Sequence, residues 1–304
     1  MPGQLKEVRI RMQAVKSTQQ ITKAMKLVAA SKLRKAQDRI IKMRPYANKL
    51  YSILGNIASG GMGDVNLDYT TERPADKILI ILLTSDRGLC GGFNSGMVKL
   101  AKNLINEQYA TQRANGNVTV FCIGKKGYES LKKEKGLKFN TDFMDLFTRL
   151  TFEEVSVAAE TIMHEFSAKN YDVIEVVYNQ FKNQITQLPT AEQYLPIQKL
   201  HAEPAGGVQQ NAAKDKVIPD FIYQPGQKAI IEELVPKILK TQFYRYLLDS
   251  NASEHGARMT AMDKATDNAE ELLRELGIQY NRARQAAITT ELTEIVGGAA
   301  ALQG

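Results

Sequence analysis

The sequence predicts an α/β fold on an unusual frame: a long antiparallel coiled coil of N- and C-terminal helices plus a central Rossmann-like α/β domain. Three observations predict it. Apolar residues recur at 3-4 heptad spacing from about residue 3 to 57 and again from about 226 to 302, and between these stretches short β-rich runs alternate with helical ones. The chain divides accordingly into an N-terminal coiled-coil helix (1–57), an α/β domain (76–198), a loop or linker (199–225) and a C-terminal coiled-coil helix (226–304).

The first helix is read from two interleaved series. One is Val8, Val15, Thr22, Ala29, Ala36, Met43, Leu50 and Ile57; the other is Leu5, Met12, Gln19, Lys26, Leu33, Ile40, Ala47 and Leu54. They form one seam with a polar middle at Gln19, Thr22 and Lys26. The last helix does the same, with Ile231, Ile238, Arg245, Ala252, Met259, Thr266, Leu273, Tyr280 and Ala287 alternating with Leu234, Thr241, Leu248, His255, Met262, Ala269, Leu276 and Ala283. Pro45 and Pro236 each remove a helix hydrogen bond, so a kink or restart is expected at both. A seam this rich in Ala, Thr and polar residues is weaker than a Leu/Ile zipper, and two amphipathic helices packed on a globular core are the alternative. The periodic stretches, however, far exceed the common helix length of about 11 or 12 residues.

One helix runs toward the middle of the chain and the other away from it, so pairing along their length is antiparallel, with the α/β domain at one end. The lengths do not match. At about 1.5 Å per residue the helices span roughly 82 and 115 Å, leaving about 33 Å of the second without a partner from its own chain. That remainder, "ARQAAITTELTEIVGGAAALQG", carries Ile288, Leu292, Ile295 and Val296 on or near one face. Alone in water it would expose this face, so either it frays or another protein sheathes it; the apolar, weakly charged composition favours the sheath.

In the middle, "KILIILLT", "NVTVFCIG" and "YDVIEVVYNQF" read as strands, with helices at Asn94–Ala110, Lys125–Lys135 and Phe152–Ala168. "QITQLPTAEQYLPI" then closes a final hairpin on a mostly parallel sheet. Ala202–Lys216 reads as a solvated loop. "SDRGLCGGFNSG" (Ser85–Gly96) follows the first strand, where a doubly wound sheet places its ligands. Its chemistry does not suit a nucleotide. Gly91 and Gly96 have phosphate-loop spacing, but Met97 and Val98 stand where a Lys and a Ser or Thr must reach phosphate and magnesium. No Gly-x-Gly-x-x-Gly is present, and the second strand ends in Gly124-Lys125 without a ribose-binding acid. The expectation is a tight turn requiring positive φ and close backbone packing, and no nucleotide, metal or other cofactor.

Composition narrows the function classes. The 304 residues are 43% hydrophobic and carry a formal charge of +7, and no apolar run is long enough to span a bilayer. "MPGQLKEVRIRM" lacks the apolar core of a signal peptide, so direct membrane insertion is not expected. Cys90 and Cys122 show no pairing pattern and read as reduced thiols. Basic residues crowd the first helix, suggesting an anionic partner: nucleic acid, lipid headgroups or an acidic protein surface. His164, His201 and His255 fall on separate elements without ligand spacing, and the acidic pairs Glu153/Glu154, Glu232/Glu233 and Glu270/Glu271 read as solvated helix faces. No catalytic constellation is present.

"QITKAMKLVAASKLRKAQ" (Gln20–Gln37), "SDRGLCGGFN", "ASEHGARMTAMDKATDNA" (Ala252–Ala269) and "YNRARQAAITTELTEIVGGAAAL" (Tyr280–Leu302) together resemble the gamma-subunit family of F-type ATP synthases. The resemblance spans nearly the whole chain. It implies a non-catalytic central rotor shaft that couples ion flow through a membrane rotor ring to ATP synthesis or hydrolysis at the beta subunits. The implied partners are three alpha and three beta subunits, the epsilon subunit and the c-subunit ring, at the cytoplasmic face of the bacterial plasma membrane. The implied anionic partner is the acidic levers of the beta subunits.

By resemblance, Met25, Lys26 and Arg258 face the beta subunits, and Arg284, Gln285, Thr289 and Glu291 meet the alpha/beta head. Phe221, Ile222 and Tyr223 match the foot that meets the rotor ring and epsilon. No cysteine matches the regulatory pair of photosynthetic relatives, so thiol regulation is not expected. Two other readings stay open: a nucleic-acid-binding coiled coil, motivated by the basic first helix, and an α/β nucleotide enzyme, motivated by Ser85–Gly96.

Overall fold

The computed structural model describes residues 2–59, 68–197 and 226–303. Two helices dominate: α1, Pro2–Ser59, and α6, Gln227–Gln303. Between them lie β1 (Ile78–Leu83), α2 (Phe93–Glu107), α3 (Ala110–Ala114), β2 (Val118–Ile123), α4 (Lys125–Leu131), β3 (Leu137–Asn140), α5 (Phe152–Ser167), β4 (Val173–Phe181) and β5 (Gln187–Leu195). The chain forms two compact units, residues 1–30 with 258–304 and residues 31–257.

Neither helix restarts at its proline: α1 passes through Pro45 and α6 through Pro236 without interruption. An interior proline costs about 3 kcal/mol in a helix. Burial of the flanking residues opposes that cost, with Ala47 and Leu50 beyond Pro45 and Val235, Ile238 and Leu239 around Pro236 all lost to solvent.

The larger unit holds a five-stranded sheet in the order β3-β2-β1-β4-β5, parallel except for the antiparallel β4–β5 pair. The apolar run of β1 is buried at all six positions because the strand is covered on both faces. Ile78, Ile80 and Leu82 face a core shared with α2 and α4 through Met97, Ala101, Leu104 and Leu131. Leu79, Ile81 and Leu83 face the other core, built from α5, the Leu33–Leu50 part of α1 and the Ile231–Ala252 part of α6. Thr151 caps α5 by accepting the Glu154 amide at 3.4 Å, and Glu153 and Glu154 fill the first turn, where carboxylates favour the helix dipole.

β3 has no counterpart among the predicted strands. It is a four-residue edge strand with Lys138 exposed, and short, charged edges carry little periodic signal. β4 and β5 are longer than their neighbours, nine residues against six in β1 and β2. Pairing of β4 with β1 ends at Val177, so among the described residues Tyr178–Phe181 and Gln187–Thr190 pair with each other alone, as a two-stranded ribbon past the carboxyl end of β1.

That ribbon lies against α6. The Tyr178 ring packs on Tyr246, tilted by 47° with ring centroids 4.6 Å apart, and its hydroxyl donates to Glu192 at 2.6 Å. Nearby, Asp249 is 8% exposed, and burial pushes its carboxyl up to about 6 despite the opposing charges of Arg245 and Arg44. The Arg245 guanidinium is 3.8 Å away, too far for a good hydrogen bond, which is why burial dominates.

Candidate partner-binding surface

The smaller unit is an antiparallel coiled coil. Thr22 and Thr266 share a hydroxyl hydrogen bond of 2.8 Å, and Lys26 pairs with Asp263, so positions rise on one helix as they fall on the other. The seam positions Leu5, Val8, Met12, Val15, Gln19 and Thr22 are each less exposed than the residues beside them. On α6, Met262, Ala269 and Leu276 are buried opposite them. The polar middle predicted at Gln19, Thr22 and Lys26 is where these cross-helix bonds form. Polar seam contacts fix register at some cost in stability.

That register sets the start of α1 opposite about residue 287, leaving about 16 residues of α6, some 24 Å, beyond the pair. The overhang is shorter than the roughly 33 Å expected from helix lengths at 1.5 Å per residue. The difference arises because pairing register, not the helices' inner ends, sets the overhang. Within it Ile288, Leu292, Ile295 and Val296 are 49–68% exposed.

Of the site residues read from sequence, Lys26 is half-buried in the seam and Met25 and Arg258 half-buried beside it, whereas Arg284, Gln285, Thr289 and Glu291 are exposed at the end of α6. The structure therefore presents two sets, not one patch. Thr289 donates to the Gln285 carbonyl at 2.9 Å, a bond within the helix that leaves its methyl outward. Phe221, Ile222 and Tyr223, and the loop Ala202–Lys216, lie outside the described residues.

The sequence reading missed a second apolar stripe. Ile10, Ala14, Ser17, Ile21, Ala24 and Val28 recur at alternating steps of four and three on the exposed side of α1, flanked by exposed Arg9, Arg11, Lys16 and Lys23. Ile10, Ile21 and Val28 are each more than half exposed, and so is neighbouring Leu27. The signal was in the sequence, diluted by small residues.

Ser85–Gly96 is closed on itself. Ser85 is fully buried; its amide donates to Asn94 Oδ1 at 2.9 Å, and Asn94 Nδ2 donates to Ser85 Oγ at 2.7 Å and to Cys90 Sγ at 3.2 Å. Met97, at the position a phosphate loop gives to lysine, is buried in the core. Among the loop's glycines only Gly91 has positive φ, at 58°; a side-chain carbon at Gly88 or Gly92 would meet no close contact. The expected demand for glycine thus holds at one position. Non-glycine Leu89 also adopts φ 64° while 65% exposed. Gly124 carries the stronger constraint, with φ 95° and the Thr84 carbonyl packed where a side chain would start. Cys90 and Cys122 are unpaired, buried thiols, and burial pushes Cys122 up to about 12. Among the described residues no helix is long and apolar enough to cross a membrane.

A coiled coil with a polar seam, a second exposed stripe and an exposed apolar overhang places the chain among long coiled-coil proteins on an α/β domain. Residues 4–302 match the ATP synthase family model. The ATP synthase gamma chain of Cytophaga hutchinsonii is 51% identical over 99% of both chains, and that of Flavobacterium johnsoniae 49% identical over 99% of both. In fold the chain resembles one from the Euglena gracilis mitochondrial ATP synthase OSCP/F1/c-ring structure, with a TM-score of 0.64 at 20% identity, covering 99% of this chain and 95% of that one. The chain belongs to the ATP synthase gamma-chain family, a subunit of the ATP synthase complex.

Proposed function

We propose that the chain is the central rotor shaft of an F-type ATP synthase, coupling ion flow through the membrane rotor ring to ATP synthesis or hydrolysis by rotation. The observation that carries this reading is the full-length likeness to gamma chains, borne on a structure whose overhang is exposed among the described residues. We infer that alpha and beta subunits sheath the overhang and the Ile10–Val28 stripe, and that the shaft stands at the cytoplasmic face of the plasma membrane. The shaft does no bond chemistry itself; nucleotides are bound by its neighbours. Epsilon and the c-ring complete the rotor.

The physics of coupling follows from asymmetry. A shaft whose faces differ makes different contacts with each of three identical catalytic subunits, so its angle biases each toward a different open or closed state. Driving one site from 1:99 to 99:1 takes roughly 5.5 kcal/mol of differential contact. Contacts of that size must also break every turn. A surface of Ala, Thr and Ile with scattered charges suits this better than a deep interlock. A nucleic-acid partner is less favoured, because the seam runs through the basic segment, where Thr22 and Lys26 bond across the coil.

Co-purification on a tagged chain tests the proposal. Alpha and beta subunits are expected to be retained in stoichiometric amounts; their absence would overturn it.

A further inference from the structure

The β4–β5 ribbon holds α6 in a way that general core packing does not require. Its outer half pairs with no other strand, and a lone two-stranded ribbon is marginal in water. It is supported by α2, where Pro189 lies against Gly96, and by one face of α6. Tyr194 donates to the Leu239 carbonyl at 3.0 Å and packs on Phe243, Tyr178 and Tyr194 bracket Tyr246, and Ser253 donates to the Asn179 carbonyl at 3.1 Å. At the far end the ribbon's turn rests on Gly256, where an added Cβ would stand 3.2 Å from the Gln184 carbonyl oxygen. From Leu239 to Gly256 the grip extends about 25 Å along the helix.

The Tyr194–Leu239 and Ser253–Asn179 hydrogen bonds lie far apart and oppose both sliding and rolling of α6. The glycine adds a notch. Turning α6 by one residue, about 100°, would drive the side chain of His255 or Ala257 against the turn, where even an added Cβ stands 3.2 Å from the Gln184 carbonyl oxygen. Glycine inside a long helix is unfavourable, and of the glycines in α6 Gly256 has a close neighbour where Gly277, Gly297 and Gly298 have none.

We propose, on the shaft reading above, that the β4–β5 ribbon is a torsional brace: it passes twist from the α/β sheet into α6, which continues unbroken to Gln303. Ser253 and Gly256 are its positioning residues. Gly256→Ala shifts the Gln184 carbonyl outward by a few tenths of an ångström, and Ser253→Ala removes the bond nearest the notch.

The test uses the assembled complex with its head immobilised and a rod attached through Lys133→Cys, a site that is exposed while Cys90 and Cys122 are buried. At fixed nucleotide state, Gly256→Ala with Ser253→Ala is expected to broaden the rod's angular distribution and lower the ions pumped per ATP, with hydrolysis unchanged. A second complex carries Gln184→Cys with Gly256→Cys. Oxidation is expected to narrow its distribution without slowing rotation, and reduction to reverse this in the same preparation, which separates the brace from any folding defect. Unchanged widths would overturn the brace and leave the shaft reading standing, and so would arrest of rotation on oxidation, since the ribbon would then slide on α6. If the unsubstituted chain fails to rotate in its complex, the shaft reading itself falls.

Discussion

Asp249→Asn is expected to stabilise the protein at neutral pH. In the folded state the carboxyl titrates near 6, against an ordinary value of 3.8. Between those values the folded protein holds a proton that the unfolded chain has released. Stability therefore falls as pH rises through this window, and the full penalty is present above about pH 6. A shift of about two units corresponds to about 3 kcal/mol at 1.36 kcal/mol per unit, an upper bound because removing the charge also deprives Arg245 and Arg44 of a counter-ion. Urea titration of the full chain at pH 4 and pH 7.5 reads the difference. The midpoint of Asp249→Asn should exceed that of the parent at pH 7.5 and match it at pH 4. A lower midpoint at pH 7.5 would refute the reasoning, for the charged carboxylate would then be a net tie between α1 and α6.

Three other expectations follow from single contacts. Deleting residues 288–304 should leave the melting temperature of the isolated chain unchanged while lowering ATP synthesis in the complex, since that segment lies beyond the end of α1; a destabilised isolated chain would contradict the register. Lys26→Ala should change unfolding free energy by less than about 1 kcal/mol, because both partners of the Lys26–Asp263 pair are well exposed, a result readable by denaturant titration with and without high salt. Gly124→Ala should destabilise the α/β domain by several kcal/mol, seen as a large fall in melting temperature, because it combines positive φ with backbone overlap at Thr84.

The parts of this fold visible in the sequence are those where one periodicity persists. Both seams were legible because α1 and α6 keep their step over many turns, and β1 because all six of its residues are apolar. The overhang was legible in kind but not in length, because sequence spacing sets no register between two helices; the Thr22–Thr266 and Lys26–Asp263 contacts do. β3 was lost among lysines, and the Ile10–Val28 stripe was masked by Ala14, Ser17 and Ala24. The brace left almost no trace, since a helical glycine acquires meaning only once Gln184, seventy-two positions earlier, is seen to rest on it. Of the candidate site, the residue types could be listed from sequence, yet that Lys26 is already paired and Arg284 is not near it required the coil.

The overhang of α6 also bears on how the isolated chain meets proteases. A surplus copy that finds no partner keeps Ile288, Leu292, Ile295 and Val296 in water at the end of a single, unsupported helix, the kind of segment that opens locally and is cut first. Limited proteolysis of the isolated chain is thus expected to cut this segment first, and its protection becomes a measure of how fully a partner covers the end of α6.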